Sequence, residues 1–183
     1  RVVCMRESDG AVLWTHEYDC PYTSATLYAI GPRCTPTVDG DLVYTLGAEG
    51  RLLCLRVGDG AVVWSRDFMD DYGLEIQTWG FAAHPLVDGD RLICVVGGEN
   101  STCVAFDKRT GKEVWRALSS TDAGYCPPVI REINGERHLI IWHGDAVNGL
   151  DPASGELFWS VPFQATFAMT IGAPQLEGQS LFL

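Results

Sequence analysis

Three groups of side chains in this sequence have residue types that could do chemistry. Asp67, Asp70, Asp71 and Glu75 gather four carboxylates in one short stretch, His138 and His143 lie five residues apart, and seven cysteines are scattered from Cys4 to Cys126. Spacing argues against each as a reactive centre. A calcium loop alternates its oxygens so that they converge on one ion, and the acidic stretch lacks that alternation. In an extended run, side chains five apart point to opposite faces, so one metal does not take both histidines. Thr110-Gly111-Lys112 lacks the preceding glycine of a phosphate loop, and no Gly-x-Ser-x-Gly, Cys-x-x-Cys or dinucleotide fingerprint occurs. No catalytic residue and no metal ligand is assigned. Asn100-Ser101-Thr102 has the form of a glycosylation sequon and reads as surface loop.

The elements that would position these groups are set by a repeat. A turn glycine is followed four residues later by a tryptophan at Gly10/Trp14, Gly60/Trp64, Gly111/Trp115 and Gly155/Trp159, so the tryptophans are 50, 51 and 44 residues apart. A glycine ahead of a proline recurs at Gly31/Pro36, Gly80/Pro85, Gly124/Pro128 and Gly172/Pro174, and runs of 33, 35 and 35 residues separate it from the next tryptophan. The unit is a constant module joined by a variable loop, as repeat proteins absorb insertions on one face without disturbing a stacked core.

Each module reads as four short antiparallel strands, A to D. In the second, Thr35 to Val38 is A, Leu42 to Leu46 is B, Arg51 to Arg56 is C and Ala61 to Ser65 is D. Asp39-Gly40, Asp88-Gly89 and Asn134-Gly135 supply the hairpin chemistry, because two-residue turns demand positive φ. Pro36, Pro85, Pro128 and Pro174 fall at strand starts, where a missing N–H costs little. No stretch shows helical periodicity. The expected fold is all-β, a propeller of four-stranded antiparallel blades. The boundaries are a half blade at 1–18, blades at 31–68, 80–118 and 124–163, and a half blade at 172–183, forming one propeller domain or propeller segment. Three blades and two complementary halves make four blade equivalents. They could close as a four-bladed ring, or pair with more of the same architecture from a longer parent or a second copy. The second closure is favoured, because Arg1 is not an initiator methionine and an uncovered sheet edge must be paired. A head-to-tail homodimer would make an eight-bladed ring with two hybrid blades.

With 183 residues of which 46% are hydrophobic, the chain can bury a substantial core. A net charge of −11 offers no basic patch to neutralise phosphates, which argues against nucleic acid or an anionic membrane as partner. No apolar run reaches the roughly 18 residues of a membrane span, and no signal peptide is recognisable. The acidic residues are scattered over turns and loops, as on a solvated surface.

Repeat register explains most cysteines. Six residues before the turn glycine the modules carry Cys4, Cys54, Ala105 and Gly149, a series that asks for small volume, and Cys34 and Cys126 share a strand A register with Ala83. Cys20, Cys94 and Cys103 remain; seven is an odd number, so at least one thiol is free, and a Cys20–Cys34 bridge is left open. The four register tryptophans read as wedges between blades, since an indole supplies large area with one N–H to satisfy. Trp142, in a strand B, reads as core. Trp79, at the end of a long loop, is the tryptophan with a functional reading.

Phrases such as Ala105-Phe-Asp-Lys-Arg-Thr-Gly-Lys-Glu-Val-Trp115, Gly149-Leu-Asp-Pro-Ala-Ser-Gly-Glu-Leu-Phe-Trp159 and Pro36-Thr-Val-Asp-Gly-Asp-Leu-Val-Tyr44 resemble the pyrroloquinoline quinone (PQQ) enzyme repeat with its tryptophan-docking motif. The resemblance covers essentially the whole chain. It implies a propeller, found both in quinoprotein alcohol and sugar dehydrogenases, usually eight-bladed, and in the non-catalytic propeller of the outer-membrane β-barrel assembly machinery. The phrasing from Tyr28 to Gly40 is most similar to uncharacterised PQQ-like proteins of planctomycete-type bacteria. Arg6 and Arg56 depart from the pattern, standing where the motif has the aspartate seen at Asp107 and Asp151. Resemblance to the dehydrogenases would imply a quinone over the central channel, a calcium ion, an aspartate base and a disulfide between adjacent cysteines; no two cysteines here are adjacent. The resemblance is specific for the propeller and not for an activity; with the adjacent cysteines and a calcium-loop spacing missing, the expected function is a non-catalytic binding or assembly scaffold with no cofactor, and the resemblance implies a periplasmic or secreted location. The alternative is part of a PQQ- and calcium-dependent dehydrogenase.

What does not repeat is one face. The D-to-A and B-to-C connections leave a four-stranded blade on the same side, and they carry Tyr18, Tyr22, Tyr28, Arg33, Tyr72, Glu75, Trp79, His143, Asp145 and Phe167. Arg33, Glu75, Trp79, His143 and Asp145 are the candidate contacts for a protein or small-molecule ligand. Aromatics mixed with carboxylates suit a protein, peptide or carbohydrate surface better than a phosphate site. The competing reading is that these aromatics only pack the loops down.

Overall fold

A computed structural model describes residues 1–20, 33–178 and 180–183. Among these described residues, sixteen strands form three four-stranded sheets and two two-stranded ones, all antiparallel. The first pair is β1 (Val2–Met5) with β2 (Val12–His16). Complete blades follow as β3 (Thr37–Asp39), β4 (Leu42–Leu46), β5 (Arg51–Arg56) and β6 (Val62–Asp67); then β7 (Leu86–Asp88), β8 (Arg91–Val95), β9 (Cys103–Asp107) and β10 (Glu113–Ala117); then β11 (Val129–Ile133), β12 (Glu136–Trp142), β13 (Ala146–Leu150) and β14 (Leu157–Pro162). The last pair is β15 (Gln175–Glu177) with β16 (Ser180–Phe182). Four consecutive strands hydrogen-bonded in chain order are the propeller-type blade that the module required. The Gly31 marker, Tyr22 and Tyr28 lie outside the described residues.

Each proline of the marker stands immediately before its A strand, at Pro36, Pro85, Pro128 and Pro174. The A-to-B turns differ in detail from expectation. Asp39 still pairs with Leu42 and Asp88 with Arg91, so the two-residue loops are Gly40-Asp41 and Gly89-Asp90. Glycine then occupies the first central position with φ of 60° and 57°, as a type II′ turn requires. Asn134-Gly135 is the loop that does fall on the expected dipeptide, with both residues at positive φ, 54° and 82°.

Blades bury apolar faces against one another. Tyr44, Leu52 and Cys54 of one blade meet Leu92, Cys94, Val104 and Phe106 of the next, all buried. Ile93, Val95 and Ala105 in turn meet Leu139, Ile141 and Leu150. Neighbouring A strands are stitched near the centre, where Thr37 Oγ1 donates to the Pro85 carbonyl at 2.6 Å and Arg131 Nη2 donates to the Pro174 carbonyl at 2.9 Å.

The register tryptophans are half-buried, and the seats of Trp14, Trp64 and Trp115 lie across the blade boundary. A Cβ on Gly60 would sit 2.5 Å from the Trp14 ring, on Gly111 2.7 Å from Trp64, and on Gly155 2.6 Å from Trp115. The turn glycine therefore has two duties: φ near +70° and a flat seat for the preceding blade's indole. Trp14 Nε1 donates to the Val57 carbonyl at 2.7 Å and Trp64 Nε1 to the Lys108 carbonyl at 3.0 Å, each three residues before the seating glycine. The small-residue series has its cause in the same joint, since Cys4, Cys54 and Gly149 are the cross-strand partners of Trp14, Trp64 and Trp159.

Two expectations are corrected. A helix is present: α1 (Phe68–Tyr72) follows β6 directly. Asp67 accepts the amides of Met69 and Asp70, Phe68 is buried as its anchor, and Gly73 in the left-handed region ends it. Five residues are too few to show a period. The Cys20–Cys34 bridge is not formed, and none of the seven cysteines is in a disulfide. Cys20 Sγ faces Glu49 Oε2 at 3.1 Å, while Cys34 Sγ donates to the Phe81 carbonyl at 3.5 Å. Burial pushes Cys34 and Cys126 up to about 12 and Cys54 to about 11, so these thiols behave as small apolar groups. Among the described residues no helix is long and apolar enough to cross a membrane.

Candidate functional site

Each blade has a turn end, where A-to-B and C-to-D hairpins close, and a loop end, where B-to-C and D-to-A connections run. The turn end is bound up in structural pairs. Lys108 Nζ meets Asp39 at 2.6 Å, Arg137 pairs with Asp88, and the amides of Val57 and Lys108 donate to the carbonyls of Asp41 and Asp90 at 2.9 Å. Exposed variety is left to the loop end.

Five candidate residues fall there, and four form two pairs. The Arg33 guanidinium lies 5.8 Å from the centre of the Trp79 ring, a cation–π stack joining the approaches to β3 and β7. Trp79 is half-buried, held in place because the next residue, Gly80, takes φ of 68° and passes so close to Ala48 that a Cβ would sit 2.4 Å from its carbonyl oxygen. Glu75 is exposed on the same connection.

The second pair is His143 with Asp145, in the β12-to-β13 connection. The Asp145 amide donates to His143 Nδ1 at 3.3 Å, and the Asp145 carboxylate lies 3.8 Å from the same nitrogen. Burial lowers the imidazole's proton affinity and outweighs the opposing carboxylate, so His143 is held neutral with the proton on Nε2. Ser120, which sequence reasoning missed, joins this group: its single hydroxyl proton is shared between the Asp122 carbonyl at 2.8 Å and the Asp145 carboxylate at 3.1 Å. Serine, histidine and aspartate thus meet, but not as a nucleophilic triad. The hydroxyl is engaged by the Asp122 carbonyl and the Asp145 carboxylate, and the imidazole's accepting nitrogen is taken by a backbone amide, so the imidazole does not address the serine. The arrangement is a loop clasp. Gly144 N–H donates to Asp122 O at 3.0 Å, Ala165 N–H to Gly144 O at 2.9 Å and Phe163 N–H to Asp145 O at 2.9 Å, tying three connections together.

The aromatics divide. Tyr18 packs against the inter-blade core and Tyr72 donates to Glu113 at 2.8 Å, which is the packing role. Phe167 does the opposite: it is 87% exposed, on a backbone with φ of 55° in a 3₁₀ turn (Thr166–Ala168), beside an equally strained Ala168 at 52°. Phe163, Met169 and Ile171, close to it in sequence, are exposed as well. Left-handed backbone at two adjacent non-glycine residues costs energy that the local fold must offset.

Two carboxylates of the acidic stretch are already engaged by arginines. Asp67 caps α1 and pairs with Arg51 at 3.4 Å, and Asp71 pairs with Arg66 at 3.2 Å. These groups line a polar cleft of about 190 Å³ with Asp70 and Ser65. Carboxylates engaged by two guanidiniums and by helix amides are poor donors for a calcium ion, and the cleft is below the roughly 300 Å³ of ordinary ligand pockets. Among the described residues no three His, Cys, Asp or Glu side chains converge as a metal centre needs. A calcium-held quinone does not fit this set of donors.

The sequence matches, over residues 1–179, the PQQ_2 family, described as outer membrane protein assembly factor BamB. The chain belongs to this family. No curated protein matches it. Among solved structures, BamB from Moraxella catarrhalis is similar at 16% identity and a TM-score of 0.58, over 94% of this chain and 46% of that one. Quinohemoprotein alcohol dehydrogenase ADHIIG from Pseudomonas putida HK5 is similar at 19% identity and a TM-score of 0.56, over 82% of this chain and 22% of that one. The computationally designed Ika4 protein is similar at 11% identity and a TM-score of 0.53, over 92% of this chain and 88% of that one. At these identities the likeness is one of fold. This BamB-family chain spans less than half the length of both natural structures, one an assembly factor and the other an enzyme.

Proposed function

We propose that this BamB-family chain is a non-catalytic propeller that binds a protein partner through the loop ends of its blades and serves as a binding or assembly scaffold. The observation that carries the reading is Phe167, 87% exposed on strained backbone in a connection that also exposes Phe163, Met169 and Ile171. Exposed apolar groups on over-determined backbone are kept where something covers them in use. Trp79 with its stacked Arg33, and the clasped His143–Asp145 loop, supply the aromatic and polar contacts that protein interfaces favour. The work place consistent with the family description is the bacterial cell envelope, periplasmic or secreted, and the phrasing of Tyr28 to Gly40 suggests a planctomycete-type relative. The dehydrogenase reading, with PQQ and calcium, draws on the fold shared with ADHIIG; the commitment of Asp67 and Asp71 to arginines weighs against it.

The test is capture from bacterial envelope extract. Wild-type chain retains a partner that Trp79→Ala and Phe167→Ser lose and that Val38→Ser, on a strand edge away from the loops, keeps. Equal capture by all three variants contradicts the assignment. A visible-spectrum change with PQQ and Ca²⁺, together with dye-linked alcohol oxidation, would establish the dehydrogenase reading instead.

A further inference from the structure

The seam between the β7–β10 and β11–β14 blades is held differently from the one before it. Between the β3–β6 and β7–β10 blades, Trp64 and Tyr44 both donate to the Lys108 carbonyl at 3.0 Å, and the buried core includes Tyr44, Phe68, Phe81 and Phe106. At the next seam Trp115 is seated on Gly155, yet its Nε1 is buried and finds no partner among the described residues. Pro152, three residues before that seat as Lys108 is before Gly111, has no N–H to give, and the buried cluster holds no aromatic side chain. Leu118, which opens the connection between these two blades, sits at φ of 65°, a strained backbone for a residue other than glycine.

What the turn end lacks, the loop end supplies through one carboxylate. Ser120 belongs with the β7–β10 blade, because its N–H donates to the Gly98 carbonyl at 3.3 Å and its carbonyl accepts the Gly98 N–H at 3.1 Å. Asp145 belongs to the next blade, in the turn between β12 and β13. Asp145 Oδ2 accepts the Ser120 hydroxyl at 3.1 Å and stands 3.8 Å from His143 Nδ1, so the same oxygen faces both. While His143 is neutral, Nδ1 accepts the Asp145 amide at 3.3 Å and leaves Oδ2 to the serine. A proton on Nδ1 removes that acceptor and creates a donor beside the carboxylate.

We propose that His143 and Asp145 form an acid-operated switch on this seam, in which the protonated imidazole draws Asp145 Oδ2 from Ser120 and releases the loop-end link between the two blades. The exchange costs little. The imidazolium gains a charge-assisted hydrogen bond, which closes to roughly 2.7–2.9 Å, and the Ser120 hydroxyl keeps the Asp122 carbonyl it already shares at 2.8 Å. The titratable groups on the surrounding elements are Asp145 in its own turn, Asp122, Tyr125 and Cys126 in the connection from β10 to β11, and Glu99 on the preceding blade's loop, while β13 and residues 163–171 carry none. None is a cation, so burial alone holds the proton off. The link is therefore complete above about pH 6.5 and is lost as pH falls through the imidazole's lowered value. Gly144 N–H still donates to the Asp122 carbonyl, so the seam loosens without parting. The switch belongs to the fold and works with or without a partner on the loop end.

The experiment uses the whole chain at about pH 7.5 and about pH 5 and reads amide hydrogen exchange, corrected for the intrinsic effect of pH, together with the nitrogen shifts of isotope-labelled histidine. Protection at residues 118–124 and 143–146 should fall roughly fivefold or more at the lower pH, as the His143 ring gains its second proton, while β4 and β5 keep theirs. His143→Asn should abolish the fall, and Ser120→Ala should show the low protection already at the higher pH. Equal wild-type protection at both values overturns the proposal, as does a His143 ring that stays singly protonated at the lower one. A fall that survives His143→Asn also overturns it, by assigning the effect to another group such as His84. So does a Ser120→Ala chain as protected as the wild type at the higher pH, because the serine link would then carry nothing.

Discussion

The two ends of each blade use the same strands for opposite purposes. At the turn end, glycine and indole recur with near-identical geometry at three joints, and at two the indole N–H also reaches a carbonyl: Trp14 on Gly60 with its N–H on Val57 and Trp64 on Gly111 with its N–H on Lys108. At the loop end no contact repeats: Ala48 meets Gly80 and Phe81 between one pair of blades, while Asp122, His143 and Asp145 form a side-chain clasp between the next. A side chain confined to one geometry by its neighbours has no freedom to acquire a ligand. The lesson is that recognition can vary only where the blade-to-blade joint does not pass.

This contrast can be broken by substitution, beginning at the turn end. Trp64→Ala removes a half-buried indole and its hydrogen bond and should lower stability by about 3 kcal/mol in urea unfolding, at the low end of large-to-small replacements. Gly60→Ala comes next, at about 2 to 3 kcal/mol, because the new methyl must adopt positive φ and displace the Trp14 ring. Gly10→Ala has the same φ with open space above it, and should cost only about 1 kcal/mol. Equal losses at Gly10 and Gly60 would remove the joint from the explanation.

Loop-end effects are smaller and differ in kind. His143 and His84 both have proton affinity lowered by burial, so below about pH 6.5 the unfolded chain binds protons that the folded chain refuses. Stability is complete above that pH and falls as pH drops through it. The carboxylates lowered by their hydrogen bonds, Asp107 and Asp151, lose their contribution only in more acidic solution. Urea midpoints at pH 7 and pH 5.5 should therefore differ for the wild type and differ less for His143→Asn, which keeps an acceptor for the Asp145 amide. Smallest of all, Phe167→Ser should change stability by less than about 0.5 kcal/mol, as expected of an exposed side chain away from the core.

How much of this was legible in the sequence follows from range. Strands C and B of the second blade lie at the expected residues, Arg51–Arg56 and Leu42–Leu46, because alternation and turn glycines are local signals. The requirement for small residues at Cys4, Cys54 and Gly149 was visible as a series, but its cause, an indole on the neighbouring strand, needed pairing. The seat of Trp14 on Gly60 was invisible because it joins residues far apart in the chain across a blade boundary. Helix α1 was missed for another reason: a single turn capped by Asp67 and Gly73 carries no period. At the loop end, unrepeated residues could be named, and Arg33 with Trp79 and His143 with Asp145 did come together. Ser120 carried no signal of its own, since only the approach of two connections gives its hydroxyl a partner.

The division between a fixed turn end and a recognising loop end is tested most directly by placing a photo-activated cross-linking amino acid at position 167, or at position 89 in the opposite turn, and irradiating in bacterial envelope extract. The account predicts a discrete protein adduct from position 167 and none from position 89. An adduct from position 89 alone, or the same adduct from both, would contradict it.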